Sequence, residues 1–288
     1  MEWSEQQLGA WRNWMGMMHL LGENSSIQTA APPPQPENMQ DAVRQYTKLD
    51  VPAGKHRVFV DVGLETGSGL ACLLESNPDM FVLAFEASPK NFLQSHQNIM
   101  ESIPEHVKPR IRVLPLAVSD ANGMVTFNEN FAPGCGSILE SKKDAWWCAQ
   151  TVNSTIVPAV RLDFILETLP KDYELQYVKT DIEGADLMAL RGLGRFLDAA
   201  AGVNSVAFEC PTRDNQNNAR IGNCVQDAAR EYLTKKGFAN IKCDETDCYA
   251  GRRDEADANH AKCMHDSYSH FIFSECTGKI NTGACAPL

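Results

Sequence analysis

A short apolar strand that ends in an acid and runs into a glycine-spaced turn constrains this chain more than any other stretch. It reads Val58-Phe-Val-Asp61-Val-Gly63-Leu-Glu65-Thr-Gly67-Ser-Gly69, and a second apolar run, Phe81-Val-Leu-Ala-Phe-Glu86, follows and ends in a carboxylate. Glycines in such a turn let the backbone approach a ligand closely, and a helix N-terminus lies just beyond. An acid closing the next strand can accept hydrogen bonds from ribose hydroxyls. The pair therefore predicts a nucleotide-like ligand.

From this point strand and helix signals alternate. Strand-like runs fall at 57–62, 81–86, 111–118, 175–181, 203–209, 238–243 and 268–274, and helical runs at 67–76, 89–101, 185–197 and 223–236. Alternation of this kind predicts an α/β fold. We expect a Rossmann-like, seven-stranded, mostly parallel sheet with helices on both faces. Ligands of such sheets bind outside the carboxyl ends of the strands. Asp61, Glu86, Asp181 and Glu209 each close a strand, so four carboxylates are expected on one rim.

Around this core we expect a helical N-terminal extension and a cysteine-rich C-terminal part. Residues 3–22 place Trp3, Leu8, Trp11, Trp14, Met15, Met18 and Leu21 at helical spacing, which predicts an amphipathic helix, either packed on the domain, the favoured reading, or serving as a membrane-surface or active-site cap. The prolines between Thr29 and Pro36 read as an extended linker, giving a division at residues 1–40 and 41–288. Residues 128–160 interrupt the alternation and are expected to build the acceptor side of the site, with Trp146 and Trp147 serving either as walls or as core cover.

The net charge of −11, without a Lys/Arg cluster, argues against nucleic acid as a partner. No run is long and apolar enough to span a bilayer, and no signal-peptide pattern is present. Ten cysteines, six of them after residue 220, read equally as disulfides in a secretory lumen or as buried thiols in a cytoplasmic enzyme. The sequons Asn24-Ser-Ser and Asn153-Ser-Thr are compatible with the first. A zinc site from Cys243, Cys248, His260, Cys263 and His265 is less favoured, because the chain has no C-x-x-C.

A dinucleotide turn would place a glycine two residues after Gly63, where this chain has Glu65, and a carboxylate there would repel a pyrophosphate. That order disfavours a nicotinamide-linked oxidoreductase. S-adenosylmethionine carries an ammonium, a sulfonium, a ribose and an adenine but no phosphate, and acids around it help. Asp61 can serve the ammonium and Glu86 the ribose.

The chain resembles the FkbM-type family of class I S-adenosylmethionine-dependent methyltransferases. Four segments carry the resemblance, in family order: Phe59-Val-Asp-Val-Gly-Leu-Glu-Thr-Gly67; Val82-Leu-Ala-Phe-Glu-Ala-Ser-Pro89; Leu116-Ala-Val-Ser-Asp120; and Val160-Arg-Leu-Asp163 leading to Val178-Lys-Thr-Asp-Ile-Glu-Gly184 and Leu190-Arg-Gly192. Leu64-Glu65 stands where the family's first turn usually reads Ala-Asn. The resemblance implies methyl transfer to a hydroxyl of a small metabolite, sugar or glycan.

Expected cofactor contacts are Asp61, Gly63, Glu65, Gly67, Glu86, Ser119, Asp120 and Asp181, with the adenine near Ser119 and Asp120. Asp181 is the first candidate for a catalytic base, followed by Glu183 and Glu209. Lys179 is expected to pair with these acids. Glu183 also reads as a first-turn carboxylate favoured by the helix dipole, and Asp163 as a helix cap. No metal ligands are assigned, and a divalent metal is not favoured. A catalytically silent cofactor-binding protein is the remaining alternative.

Overall fold

The computed structural model describes residues 51–67, 70–141, 150–198, 202–211 and 224–252, together with 4–6, 9–10, 12–14, 16–17, 258–259 and 262. Strand β1 (His56–Val62) is followed by helix α1 (Leu70–Ser76), β2 (Met80–Phe85), α2 (Pro89–Ser102), β3 (Ile111–Leu114) and β4 (Ala117–Val118). Next come β5 (Gly123–Asn130), β6 (Thr151–Val160), α3 (Leu162–Leu166), β7 (Tyr173–Thr180) and α4 (Asp186–Gly192). The described elements end with β8 (Ser205–Glu209), α5 (Gln226–Lys235), β9 (Asn240–Cys243) and β10 (Asp247–Gly251).

Seven strands form the main sheet in the order β3-β2-β1-β7-β8-β10-β9. The five from β3 to β8 run parallel, and β10 is antiparallel to both of its neighbours. After β1 the chain builds outward through β2 and β3, then returns to place β7 on the other side of β1. The order reverses between β1 and β7, and a crevice opens there at the carboxyl ends of the strands.

Both faces of this sheet are covered, which is why its strands are apolar runs rather than alternating ones. Val58, Val60 and Val62 pack with Phe85, Val178, Phe208 and the α3 to α5 side of the molecule. Phe59 points the other way and packs with Tyr177, Leu70, Leu73 and Phe92 of the α1 and α2 side. Helix α2 starts where expected, because Ser88 accepts from the Asn91 N–H and Pro89 occupies the first turn. Trp14 is fully buried in the first cluster and donates from Nε1 to the Pro115 carbonyl at 3.0 Å. The described part of the N-terminal segment thus packs on the domain through Trp14.

Two expectations for the strands need correction. The run 111–118 is two strands rather than one. Pro115 has no N–H to continue the ladder, the chain bends there, and β4 leaves to join a second sheet of order β4-β6-β5. Strand β10 was not anticipated; it pairs with β8 and β9 as the second arm of a short hairpin. The expected strand at 268–274, residues Trp146 and Trp147, and the linker prolines lie outside the described residues.

The cysteines resolve toward disulfides. Cys210 bonds Cys224, Cys243 bonds Cys248, and Cys135 is also disulfide-bonded. No free cysteine occurs among the described residues. Cys243 and Cys248 face each other in the β9–β10 register, so a bridge rather than a zinc site closes that hairpin.

Candidate active site

The glycine turn is built by close backbone approach. Gly63 has φ 89°, and a Cβ on it would overlap the carbonyl oxygen of Asp181. The Gly63 and Leu64 N–H groups both donate to the Phe85 carbonyl, at 3.0 and 3.1 Å, which ties the turn to the end of β2. Glu65 then takes a left-handed conformation, φ 55°, that a glutamate adopts only when its surroundings impose it. Its N–H donates to Glu86 Oε2 at 2.8 Å, and the Ser88 N–H donates to Glu86 Oε1 at 2.8 Å. Glu86 is buried, and that burial pushes its pKa up to about 7 against the pull of the two N–H groups. Two amides use two of roughly four lone-pair positions, so the carboxylate keeps acceptor capacity for a ligand.

Beneath the turn, Lys179 Nζ lies 3.5 Å from Asp61 Oδ1 and 3.5 Å from Asp181 Oδ2. Burial opposes its charge, but the two carboxylates outweigh burial and hold its pKa above the ordinary value. Asp61 is fully buried, whereas the Asp181 side chain is 46% exposed and available to a ligand.

The turn after β7 carries the other strained residue. Glu183 has φ 56° and Gly184 φ 96°. Asp186, fully buried at the start of α4, accepts from Thr180 Oγ1 at 2.7 Å and from the Gly184 N–H at 3.2 Å. Burial pushes its pKa up to about 7, with Asp181 adding to the rise. Glu209 continues the row at the end of β8. Burial first, then Asp181, Glu183, Asp186 and Asp247, raise its pKa well above the carboxylate range.

A strap after β5 roofs this crevice. Ser137, almost fully buried, donates from Oγ to the Glu183 carbonyl at 3.0 Å, with the Ile182 carbonyl at 3.4 Å, and accepts from the Leu139 N–H at 3.1 Å. Its backbone pairs in both directions with Asn128. Gly136 lies against the Phe127 ring, and Gly134 stands over the Glu65 carboxylate. The cleft between turn and strap is about 510 Å³ with its open mouth. Glu65, Glu86 and Asp181 line it, as do apolar groups from Leu116 to Val118 and at Phe127, and among the described residues no basic side chain does so.

A family model for the methyltransferase FkbM domain matches residues 61–238, more than half of the chain. The chain belongs to this family. No curated protein matches it. Among solved structures it is similar to the methyltransferase FkbM from Methylobacillus flagellatus KT, at 15% identity and TM-score 0.43, over 84% of this chain and 59% of that one. It is also similar to precorrin-6y C5,15-methyltransferase from Geobacter metallireducens GS-15, at 14% identity and TM-score 0.36, over 80% and 95% of the two chains. A third is the N-terminal domain of human METTL16 in complex with SAH, at 13% identity and TM-score 0.36, over 84% and 82%. The chain spans about three fifths of the Methylobacillus protein's length.

The FkbM family is one of S-adenosylmethionine-dependent methyltransferases. The cleft of this member fits that cofactor chemically: a buried carboxylate with spare acceptor capacity suits a diol, and an acid-lined wall suits a cation. Of the residues expected at the site, Gly63, Glu65, Glu86 and Asp181 line the cleft. Asp61 and Lys179 lie beneath it, and Gly67 closes the turn through its N–H to the Leu64 carbonyl. Ser119 and Asp120 sit past the end of β4, off the cleft wall. The Ser119 N–H bonds the Val160 carbonyl, and the Asp120 carbonyl accepts from Arg161. Glu183 and Glu209 do not line the cleft, and Asp181 and Glu183 lie close enough to Glu209 to raise its pKa.

Glu183 precedes α4, so the first-turn acid is Asp186 instead. Asp163 pairs with Arg161 at 2.5 Å rather than capping α3. The sequence reading missed Ser137 and Asp186. Ser137 closes the small-residue run Pro133-Gly-Cys-Gly-Ser137, and an acid just ahead of Leu187-Met-Ala-Leu190 was the available signal for Asp186. Among the described residues no group of three or more metal-ligating side chains comes together.

Proposed function

We propose that this FkbM domain methylates a hydroxyl oxygen of a small metabolite or glycan. The observation that carries the reading is a cleft at the sheet's reversal point whose charged lining, among the described residues, is carboxylate. When bound, S-adenosylmethionine supplies a methyl group made electrophilic by its sulfonium. The protein's tasks are to hold the two reactants in line and to accept one proton.

Glu86 accepts from the ribose hydroxyls through the lone pairs that its two amides leave open. Gly63 and Gly67 shape the turn around the cofactor, and Glu65 and Asp181 face it. Asp61 holds Lys179, which sets the position of Asp181 and supports the ammonium end electrostatically. Asp181 is the part-exposed carboxylate at the rim and takes the acceptor's proton; Glu183 and Glu209 stand outside the lining, where burial favours the protonated form of Glu209. Ser119 and Asp120 follow the lining residue Val118 and would bound the adenine end from outside the wall. The net charge of −11 supports a small or glycan acceptor over a nucleic acid.

A labelled-methyl transfer assay across sugars, hydroxylated metabolites, amines and RNA tests the acceptor class. Incorporation confined to amines or RNA would overturn O-methylation. Asp181→Asn is expected to lower transfer by about 10²–10⁴-fold, the usual contribution of a positioned base. Cofactor affinity, read by calorimetry, should fall far less, by no more than the roughly tenfold that the loss of one charge-assisted hydrogen bond brings.

A further inference from the structure

We propose that Glu65 makes the cleft select the sulfonium cofactor over its demethylated thioether product, so that product release is built into the charge of the first turn. The proposal rests on the S-adenosylmethionine reading above. Methyl transfer removes one positive charge from the cofactor and leaves the rest of its framework unchanged. A residue that senses only this difference must be an anion near the ribose-linked sulfur.

Glu65 stands there. Its N–H is bonded to Glu86, the carboxylate that faces the ribose, and its own carboxylate lines the cleft under Gly134, where an added Cβ would meet the Glu65 carboxyl carbon at 3.6 Å. Asp181, the lining acid at the other end, is already paired with Lys179. The backbone adds an independent argument. Glu65 is held at φ 55°, where asparagine, aspartate or glycine is more comfortable, so the position keeps glutamate at a conformational cost. Strain retained at a cleft-lining residue points to use of its side chain.

Calorimetry with S-adenosylmethionine and S-adenosylhomocysteine tests the assignment without knowledge of the acceptor. For Glu65→Gln and Glu65→Asn the preference for the sulfonium form should fall about 3–10-fold, the effect of one charge several ångströms away in a solvated cleft. The loss should lie in S-adenosylmethionine binding, with the product's affinity within about twofold, and the preference should shrink with added salt. Glu65→Asp retains the charge and should keep most of the preference. Glu65→Asn should also melt no lower than the unaltered protein, because it relieves the left-handed strain. Parallel weakening of both ligands, or an unchanged ratio in both neutral variants, overturns the proposal. Failure of the unaltered protein to bind either ligand would instead overturn the cofactor reading on which it rests.

Discussion

Glu86 is the residue whose titration reaches furthest into function. Its ordinary value of 4.5 is pushed to about 7 by burial, so the empty fold favours the protonated form. Stability from this group is therefore fully present below pH 4.5 and is lost as pH rises through 7. Ribose hydroxyls donate to the ionised form, so cofactor affinity should move the opposite way and rise between pH 6 and 8, with proton release on binding. Calorimetry in buffers of different ionisation enthalpy reads that release directly. Glu86→Ala should abolish it and weaken binding by about 1–3 kcal/mol at pH 8; unchanged affinity would remove Glu86 from the ribose. At this scale much was legible, because Asp61, Gly63, Glu65, Glu86 and Asp181 follow from strand ends and turn chemistry. Exposure was not. Asp61 pairs with Lys179 under the floor, and no local pattern reports which carboxylates of a rim face the ligand and which are covered.

Among elements, the strap between β5 and β6 is the part that tertiary packing created. Ser137 gives its hydroxyl to the left-handed Glu183 turn, 46 residues away, and receives the Leu139 N–H. Ser137→Ala removes both interactions in a buried setting and should lower stability by about 1–3 kcal/mol. Urea denaturation at constant m-value is the measurement, and a change under a few tenths would show that the strap is held by its Asn128 pairing alone. The strap's composition marked it as a ligand-side insertion, but its partner could not be seen, since a serine next to glycines has no periodic signal. Helices α2 and α5 were legible from their spacing and, for α2, from Ser88-Pro89. The break at Pro115 and the β9–β10 hairpin were not, because a two-residue strand and a short turn carry too few residues to show a period.

For the whole molecule, the Cys210–Cys224 bridge ties the end of β8 to the start of α5 beside the acid row. The Cys224 N–H also bonds the Gly184 carbonyl at 2.8 Å, so the bridge braces the turn after β7. Replacing both cysteines by serine opens a loop with a sequence separation of 14. The unfolding free energy should fall by about 3 kcal/mol for a loop of this length. Comparing oxidised protein with the double variant by chemical denaturation checks this, and equal stability would show that the bridge leaves the unfolded ensemble unconstrained. The sequence by itself determined the parallel α/β sheet, the glycine turn, the acids at the strand ends and the family, because each is written in short-range spacing and in the chemistry of single residues. Only the tertiary structure decided which cysteines bridge, that Lys179 lies between Asp61 and Asp181, and that Ser137 pins Glu183. It also decided that, among the described residues, Glu65, Glu86 and Asp181 supply the charge of the cleft wall. These are meetings of residues far apart in the chain, and burial and electrostatics at such meetings depend on three-dimensional neighbours that local sequence does not encode.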